Sequence, residues 1–178
     1  MARQPAISFS ISFQHPFNRA GGRTSNVLLR MNRQISIIVL PDDASSFSSP
    51  FEEDYALLLV IASPLVSVGQ RDRITSDIVN SPCQYALTFG HDCEVWHDVI
   101  DETCVGDGPS EERFFMTTWH DDEPIEDVID FLWWNTSYGE FESERLAVVI
   151  IGVDCELETA IRDRLAYHQK QEAEQAAP

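Results

Sequence analysis

The sequence predicts a three-layer α/β domain, a mostly parallel sheet of about five strands with helices on both faces. Three observations carry that prediction. Short runs rich in β-branched and aromatic residues alternate with segments of helical period, the pattern of βα units joined by right-handed crossovers. The run from Tyr55 to Ala62 is apolar almost without a break, as in a central parallel strand covered on both faces. Three of the runs also end in a burst of polar, ligand-capable residues: Gly90-His91-Asp92-Cys93-Glu94, Trp119-His120-Asp121-Asp122-Glu123 and Gly152-Val153-Asp154-Cys155-Glu156. In an open parallel sheet the carboxyl ends of the strands form one rim, and ligands bind in the crevice outside it. The bursts therefore mark the place to search for a site.

Taken in order, Ile35 to Leu40 reads as the first core strand, closed by Pro41-Asp42-Asp43 and a Ser-rich loop to Pro50. Tyr55 to Ala62 is the second. A weak helical pattern follows through Ile74, Ile78 and Val79 and stops before Pro82. Gln84 to Phe89 is the third strand, and the helix after it, about Asp92 to Thr103, turns Val95, Trp96, Val99 and Ile100 inward. Gly106 to Pro109 reads as a loop. Phe114 to Thr118 is the fourth strand. The next helix opens on Asp121-Asp122-Glu123-Pro124, acids and a proline where a helix start favours them, and buries Ile125, Val128, Ile129, Leu132 and Trp133. Leu146 to Ile151 is the fifth strand, and Asp154 opens a last helix with Leu157, Ala160, Ile161 and Leu165 inward.

Around this domain, assigned to residues 31–168, the reading places a basic, Ser- and Gly-rich N-terminal segment over 1–30 and a frayed tail over 169–178. Ile7-Ser8-Phe9-Ser10-Ile11-Ser12-Phe13 alternates with period two, as a half-buried strand does, and the chain then turns Gly-, Ser- and Arg-rich from Asn18 to Asn26. The segment also reads as an addition, with Met31 as the functional beginning. It is rich in Arg and Ser and free of acids, as transit peptides are, yet Pro5, Pro16 and Gly21-Gly22 interrupt a long amphipathic helix.

A length of 178 residues suits one domain with a real core, and 43% hydrophobic residues make it globular. The formal charge is −18, from 30 acidic against 12 basic residues. Residues 1–50 hold five arginines against two aspartates, a net +3, whereas residues 51–178 hold seven basic against 28 acidic residues, a net −21. Such a field repels nucleic acid, anionic lipid and phosphorylated substrates, and attracts basic proteins and cations. The expected partner is a basic protein or a second copy, with no nucleic acid and no membrane. The four cysteines form no CxxC pair and the chain is too large to need a disulfide, so reduced thiols in a cytoplasmic setting are expected.

The polar rim, His91, Asp92, Cys93, His97, His120, Asp121 and Asp122, admits several chemistries. Histidine, thiolate and carboxylate are zinc ligands, so one divalent metal such as zinc is the alternative to having no cofactor. The spacing matches no known zinc signature, and acids at helix starts serve equally as caps. Cys93 at a strand-to-helix turn, with His97 or His120 as base, has the makings of a nucleophile, but Asp92, Glu94 and Asp98 disfavour a thiolate there. Asp42-Asp43, Thr117-Thr118 and Asp154 are placed like the rim of a response-regulator receiver; the lysine expected at the fifth strand is absent, and no Gly-rich phosphate loop is present. A separate candidate is an interface at Phe131, Trp134 and Tyr138, aromatics lying off the inward stripe of their helix.

The stretch Phe89 to Asp101, together with Phe114-Phe115-Met116-Thr117-Thr118-Trp119-His120-Asp121-Asp122-Glu123-Pro124, resembles a family of small bacterial proteins classed as a domain of unknown function. Its members show a tryptophan-glycine turn before the cysteine and a Thr-Thr-Trp-His-Asp-Asp-Glu signature; here Phe89 stands in the tryptophan's place. The resemblance spans about residues 31 to 165 and implies a compact bacterial α/β domain without an established activity. The functional expectation is contact with a basic protein, as an inhibitor or immunity-type partner. The runner-up is a metal-dependent hydrolase using His91, His97, His120 and Asp121 or Asp122 around one ion.

Overall fold

A computed structural model describes residues 33–106 and 114–176. The strand expected at Ile7 to Phe13, the Gly- and Ser-rich stretch after it and most of the loop expected at Gly106 to Pro109 lie outside the described residues. Five parallel strands, β1 (Gln34–Leu40), β2 (Tyr55–Ile61), β3 (Cys83–Gly90), β4 (Met116–His120) and β5 (Arg145–Ile151), stand in the order β1-β5-β2-β3-β4. Helices α1 (Val68–Val79) and α2 (Cys93–Gly106) cover one face, and α3 (Ile125–Asn135) and α4 (Cys155–Ala176) the other. The three-layer α/β architecture is thus present.

The sequence of β2 explains its central place. Every residue of the strand is buried, and the period of two sends Tyr55, Leu57, Leu59 and Ile61 into the core beneath α1 and α2 while Ala56, Leu58 and Val60 enter the core beneath α3 and α4. From β2 the chain steps outward through β3 to β4, with α1 and α2 on one face. It then returns on the other face through α3 to place β5 on the far side of β2. Right-handed crossovers require this change of face when the direction of travel reverses.

The reversal makes β2 and β5 the switch point of the sheet, the position where open α/β sheets bind ligands. Here the chain itself draws the crevice together. Ala62 and Ser63 both donate backbone N–H groups to the Ile151 carbonyl (2.9 and 3.2 Å), and Gly152 donates to that of Leu40 (2.9 Å). Gly152 has φ +97°, and a Cβ on it would lie 2.6 Å from the Ser63 Cβ and 2.9 Å from the Asp42 carboxylate. Only glycine permits both the conformation and the approach.

Three elements depart from the sequence reading. Strand β4 pairs with β3 from Tyr85↔Met116 to Phe89↔His120, two residues later than the Phe114 to Thr118 expected, and Phe114 is exposed. As an edge strand β4 tolerates Thr, Trp and His, whereas an apolar pattern selects the Phe-Phe pair before it. The inward stripe of α2 is Cys93, Trp96, His97 and Ile100; Val95 is exposed and Val99 half-buried. Helix α4 runs to Ala176, so residues 169–176 are helical where a frayed tail is expected. Its last turns are held by Glu172, which accepts a hydrogen bond from the Trp133 indole (3.0 Å), and by buried His168. Among the described residues no helix is long and apolar enough to cross a membrane.

Candidate functional site

The polar bursts reach the carboxyl rim, but the pleat of the sheet disperses them. His91 and Asp92 are exposed, in a turn built by Gly90 at φ +94° and Asp92 at φ 52°. A Cβ on Gly90 would sit against the Ile61 carbonyl oxygen, which accepts the His91 N–H at 2.9 Å. Successive β4 residues point to opposite faces. Thr117 and Trp119 therefore meet α2: the Thr117 hydroxyl lies 3.1 Å from His97 Nε2 and donates to Asp101 at 2.5 Å, His97 Nδ1 faces Asp98 at 3.1 Å, and the His97 ring packs on Trp119 at 4.6 Å. Thr118 and His120 face α3: His120 Nε2 lies 3.2 Å from the Thr118 hydroxyl, Nδ1 lies 3.2 Å from Glu123, and the ring meets the edge of Phe131 at 5.0 Å.

His91 at the surface, His97 beneath one helical layer and His120 beneath the other do not converge on one ion. Among the described residues no group of three or more His, Cys, Asp or Glu could hold a metal. Cys93 is buried with its thiol 3.5 Å from the His120 carbonyl, and burial first, then the charge of Asp121, pushes its pKa up. It stays a thiol, which disfavours the nucleophile reading. Asp121 and Asp122 are exposed in the turn before α3, with Asp122 at φ 57°; the helix itself begins at Ile125 after Pro124, so these acids shape the turn instead of capping the helix.

Tyr85 on β3 borders the second β4 cluster, its ring edge on Phe131 at 6.4 Å. The hydroxyl, imidazole and carboxylate of Thr118, His120 and Glu123 have the spacing of a catalytic relay. Tyr85, Thr118 and His120 are all buried, however, and Glu123 alone of the four reaches solvent. Burial outweighs the Glu123 partner and lowers the His120 pKa. The neutral ring then accepts from Thr118 and donates to Glu123, joining β4 to the turn before α3.

The candidate interface residues also separate. Phe131 is half-buried against Tyr85 and His120. Tyr138 shares its hydroxyl between the carbonyls of Gln84 and Phe114, both at 3.0 Å, and packs on Phe114 and Phe141. Both close the domain from within. Trp134 stays 57% exposed.

Around Trp134 lies a cluster the sequence reading missed. Trp133, fully buried, stacks on His168 (4.9 Å, 19°) and beneath the Arg33 guanidinium (4.7 Å), while Arg33 donates to the Trp133 carbonyl and lies 3.7 Å from Glu172. Asp130 accepts two hydrogen bonds from Arg164 and one from His168 (2.7 Å). Burial acts to raise the Asp130 pKa, but the Arg164 and His168 bonds outweigh it and hold the carboxyl below its ordinary range. These partners stand 34 and 38 residues apart on two helices that run side by side, so no local spacing announces them.

Along the same surface Tyr167 is 50% exposed under Arg164, whose guanidinium lies 5.1 Å from its ring. Beyond it, toward the rim, an open groove of about 780 Å³ runs between α3 and α4, lined by three acids, Glu126, Glu156 and Asp163, and one cation, Arg164, together with Cys155 and Tyr167. Trp134 and Tyr167 each meet the His168 ring, at 5.8 and 5.5 Å, and Tyr167 continues into the groove along the outer surface of α3 and α4.

No match was found among curated proteins or solved structures. A family model described as "Domain of unknown function (DUF7684)" matches residues 35–166, which spans the sheet, α1 to α3 and the first half of α4. The chain therefore belongs to the DUF7684 family.

Proposed function

We propose that the protein acts by protein–protein contact, its α3–α4 face receiving an arginine- or lysine-rich segment of a basic partner, as an inhibitor or immunity-type protein does. The observation that carries this reading is that exposed Trp134 and Tyr167 flank His168, and that Tyr167 lines a groove shared with Glu126, Glu156 and Asp163. Aromatic anchors supply contact area with few rotors to freeze, and a charge of −18 speeds encounter with a cation-rich partner and selects against acidic ones. The Asp130, Arg164, His168 and Trp133 network holds the two helices in register, so the face is organised before a partner arrives. The metal-dependent hydrolase reading has no convergent ligand set among the described residues to support it.

Titration of the folded protein with a short arginine-rich peptide tests the proposal. Binding is expected to weaken as salt is raised, because rim charges are screened, and to weaken about tenfold in Trp134→Ala, the loss of roughly 1.4 kcal/mol typical of a moderate anchor. No binding at low salt, or binding equal in the two proteins, would remove the basis for the reading.

A further inference from the structure

The two edges of the sheet are built differently. At one, β4 is five residues long and runs straight into Asp121 and Asp122. Short length and charge are ordinary means of keeping an edge strand from pairing with another chain. At the other, β1 is seven residues long, Gln34-Ile35-Ser36-Ile37-Ile38-Val39-Leu40, with no charge, no proline and a register against β5 that runs unbroken from Gln34↔Arg145 to Leu40↔Ile151. Its even-numbered residues direct their backbone groups to β5: Gln34 donates to the Glu144 carbonyl and the Leu40 carbonyl accepts from Gly152, both at 2.9 Å. The N–H and C=O groups of Ile35, Ile37 and Val39 therefore point outward, and among the described residues they have no hydrogen-bond partner. The loop that leaves β1 bonds to α1 instead: Gln70 donates to the carbonyls of Asp42 and Ala44 (2.8 and 3.2 Å), and Asp77 accepts the Phe47 N–H (2.9 Å). No residue of the strand is fully buried, and Val39 is 40% exposed.

We infer that β1 pairs with β1 of a second copy of the chain, antiparallel about a two-fold axis at Ile37, so that two five-stranded sheets continue as one. The register follows from the outward groups. With Ile37 opposite Ile37 of the second copy, Ile35 faces Val39 and Val39 faces Ile35, and every outward N–H meets a carbonyl. Exposed Val39 gains an apolar neighbour across the junction. Charge selects the same orientation. Arg33 precedes the strand and Asp42-Asp43 follow it, so antiparallel pairing sets a basic end against an acidic one, whereas parallel pairing sets like against like. Two copies that carry −18 each repel one another elsewhere, and the uncharged strand is where they can approach. This contact uses the sheet edge and not the outer face of α3 and α4, so it stands or falls independently of a basic partner.

Sedimentation equilibrium of the full chain over a range of concentrations, with hydrogen exchange at the β1 amides, tests the pairing. A dimer is expected, with exchange at Ile35, Ile37 and Val39 slowed as concentration rises. Val39→Pro removes an outward N–H at an exposed position and leaves the β5 ladder intact, as proline does on an edge strand. It is expected to weaken association about thirtyfold, since symmetry removes two hydrogen bonds at once and each contributes roughly a factor of five. Val39→Lys keeps the N–H and sets a charge against Ile35 of the second copy; it is expected to weaken association too, and replaces the proline variant if that one shows a lowered urea midpoint. Raised salt is expected to strengthen the dimer by screening the repulsion between copies, the opposite of its effect on the arginine-rich peptide. A monomer at every concentration would overturn the inference, and protection of the same amides in that monomer would assign the edge to another segment of the chain. A dimer unaffected by either variant, or one that dissociates as salt rises, would also overturn it and place the contact on another surface.

Discussion

The carboxyl rim and the outer face of α3 and α4 put similar residue types to opposite uses. At the rim His97 and His120 are consumed inside the domain, each bonded to a β4 threonine and a nearby carboxylate on its own side of the sheet. On the α3–α4 face His168 is again buried between an acid and an aromatic ring, but two large aromatics, Trp134 and Tyr167, remain exposed beside it. The contrast teaches that polar density in a sequence is a poor guide to a site when strand parity can divide it. Exposed apolar area over a braced polar network is the better signal.

Adjacent tryptophans offer the sharpest way to break this comparison. Trp133→Ala removes a fully buried ring together with its stacking on His168 and its bond to Glu172, and is expected to cost about 3–5 kcal/mol in chemical denaturation. Trp134→Ala is expected to leave stability within roughly 0.5 kcal/mol, as surface substitutions do. Comparable losses in the two variants would mean that Trp134 serves packing and not contact.

At the rim the turn geometry should matter more than the histidine beside it. Gly90→Ala places a Cβ against the Ile61 carbonyl at a φ of +94° and is expected to cost about 2–3 kcal/mol. His91→Ala, at an exposed position one residue later, is expected to change stability by less than roughly 0.5 kcal/mol. A large loss in His91→Ala with an intact Gly90 would return the rim to consideration as a built site.

A smaller effect is confined to acid pH. His120 has a folded pKa lowered from 6.5 by burial, so the unfolded chain takes up its proton first as pH falls. Its contribution therefore favours the folded state above about pH 6.5 and is lost progressively below it, down to the folded pKa. Asp130 has its pKa lowered from 3.8, so its contribution is present above that value and lost only at lower pH. Urea midpoints measured against pH should show the upper branch disappearing in His120→Gln and the lower branch weakening in Asp130→Asn. An unchanged upper branch in His120→Gln would contradict the neutral-ring assignment.

Much of the architecture was legible because burial and period agree. The all-apolar β2 and the inward residues of α3, Ile125, Val128, Ile129, Leu132 and Trp133, were read as they stand, since each pattern serves a single core. Asp154 was read as the opening of α4, and its carboxylate accepts the N–H groups of Glu156 and Leu157 (3.1 and 3.0 Å). The two-residue shift of β4 was hidden because an edge strand can carry Thr-Thr-Trp-His while the more apolar Phe114 lies outside it. Histidine counts as polar in a helix stripe, which makes His97 a rim ligand by sequence, yet its ring fills a core position when Thr117 and Asp98 satisfy its nitrogens. The α3–α4 cluster was invisible for a different reason. Arg33, Asp130, His168 and Glu172 meet only after the sheet order has placed α3 beside α4, and one-dimensional spacing carries no trace of that order.

The most direct measurement is a map of backbone amide chemical shifts of the full chain as the arginine-rich peptide is added. The account predicts salt-sensitive changes concentrated in residues 126–134 and 155–167, with 90–93 and 120–123 unmoved. Changes centred on 90–93 and 120–123, with α3 and α4 silent, would contradict it and make the carboxyl rim the working surface of the molecule.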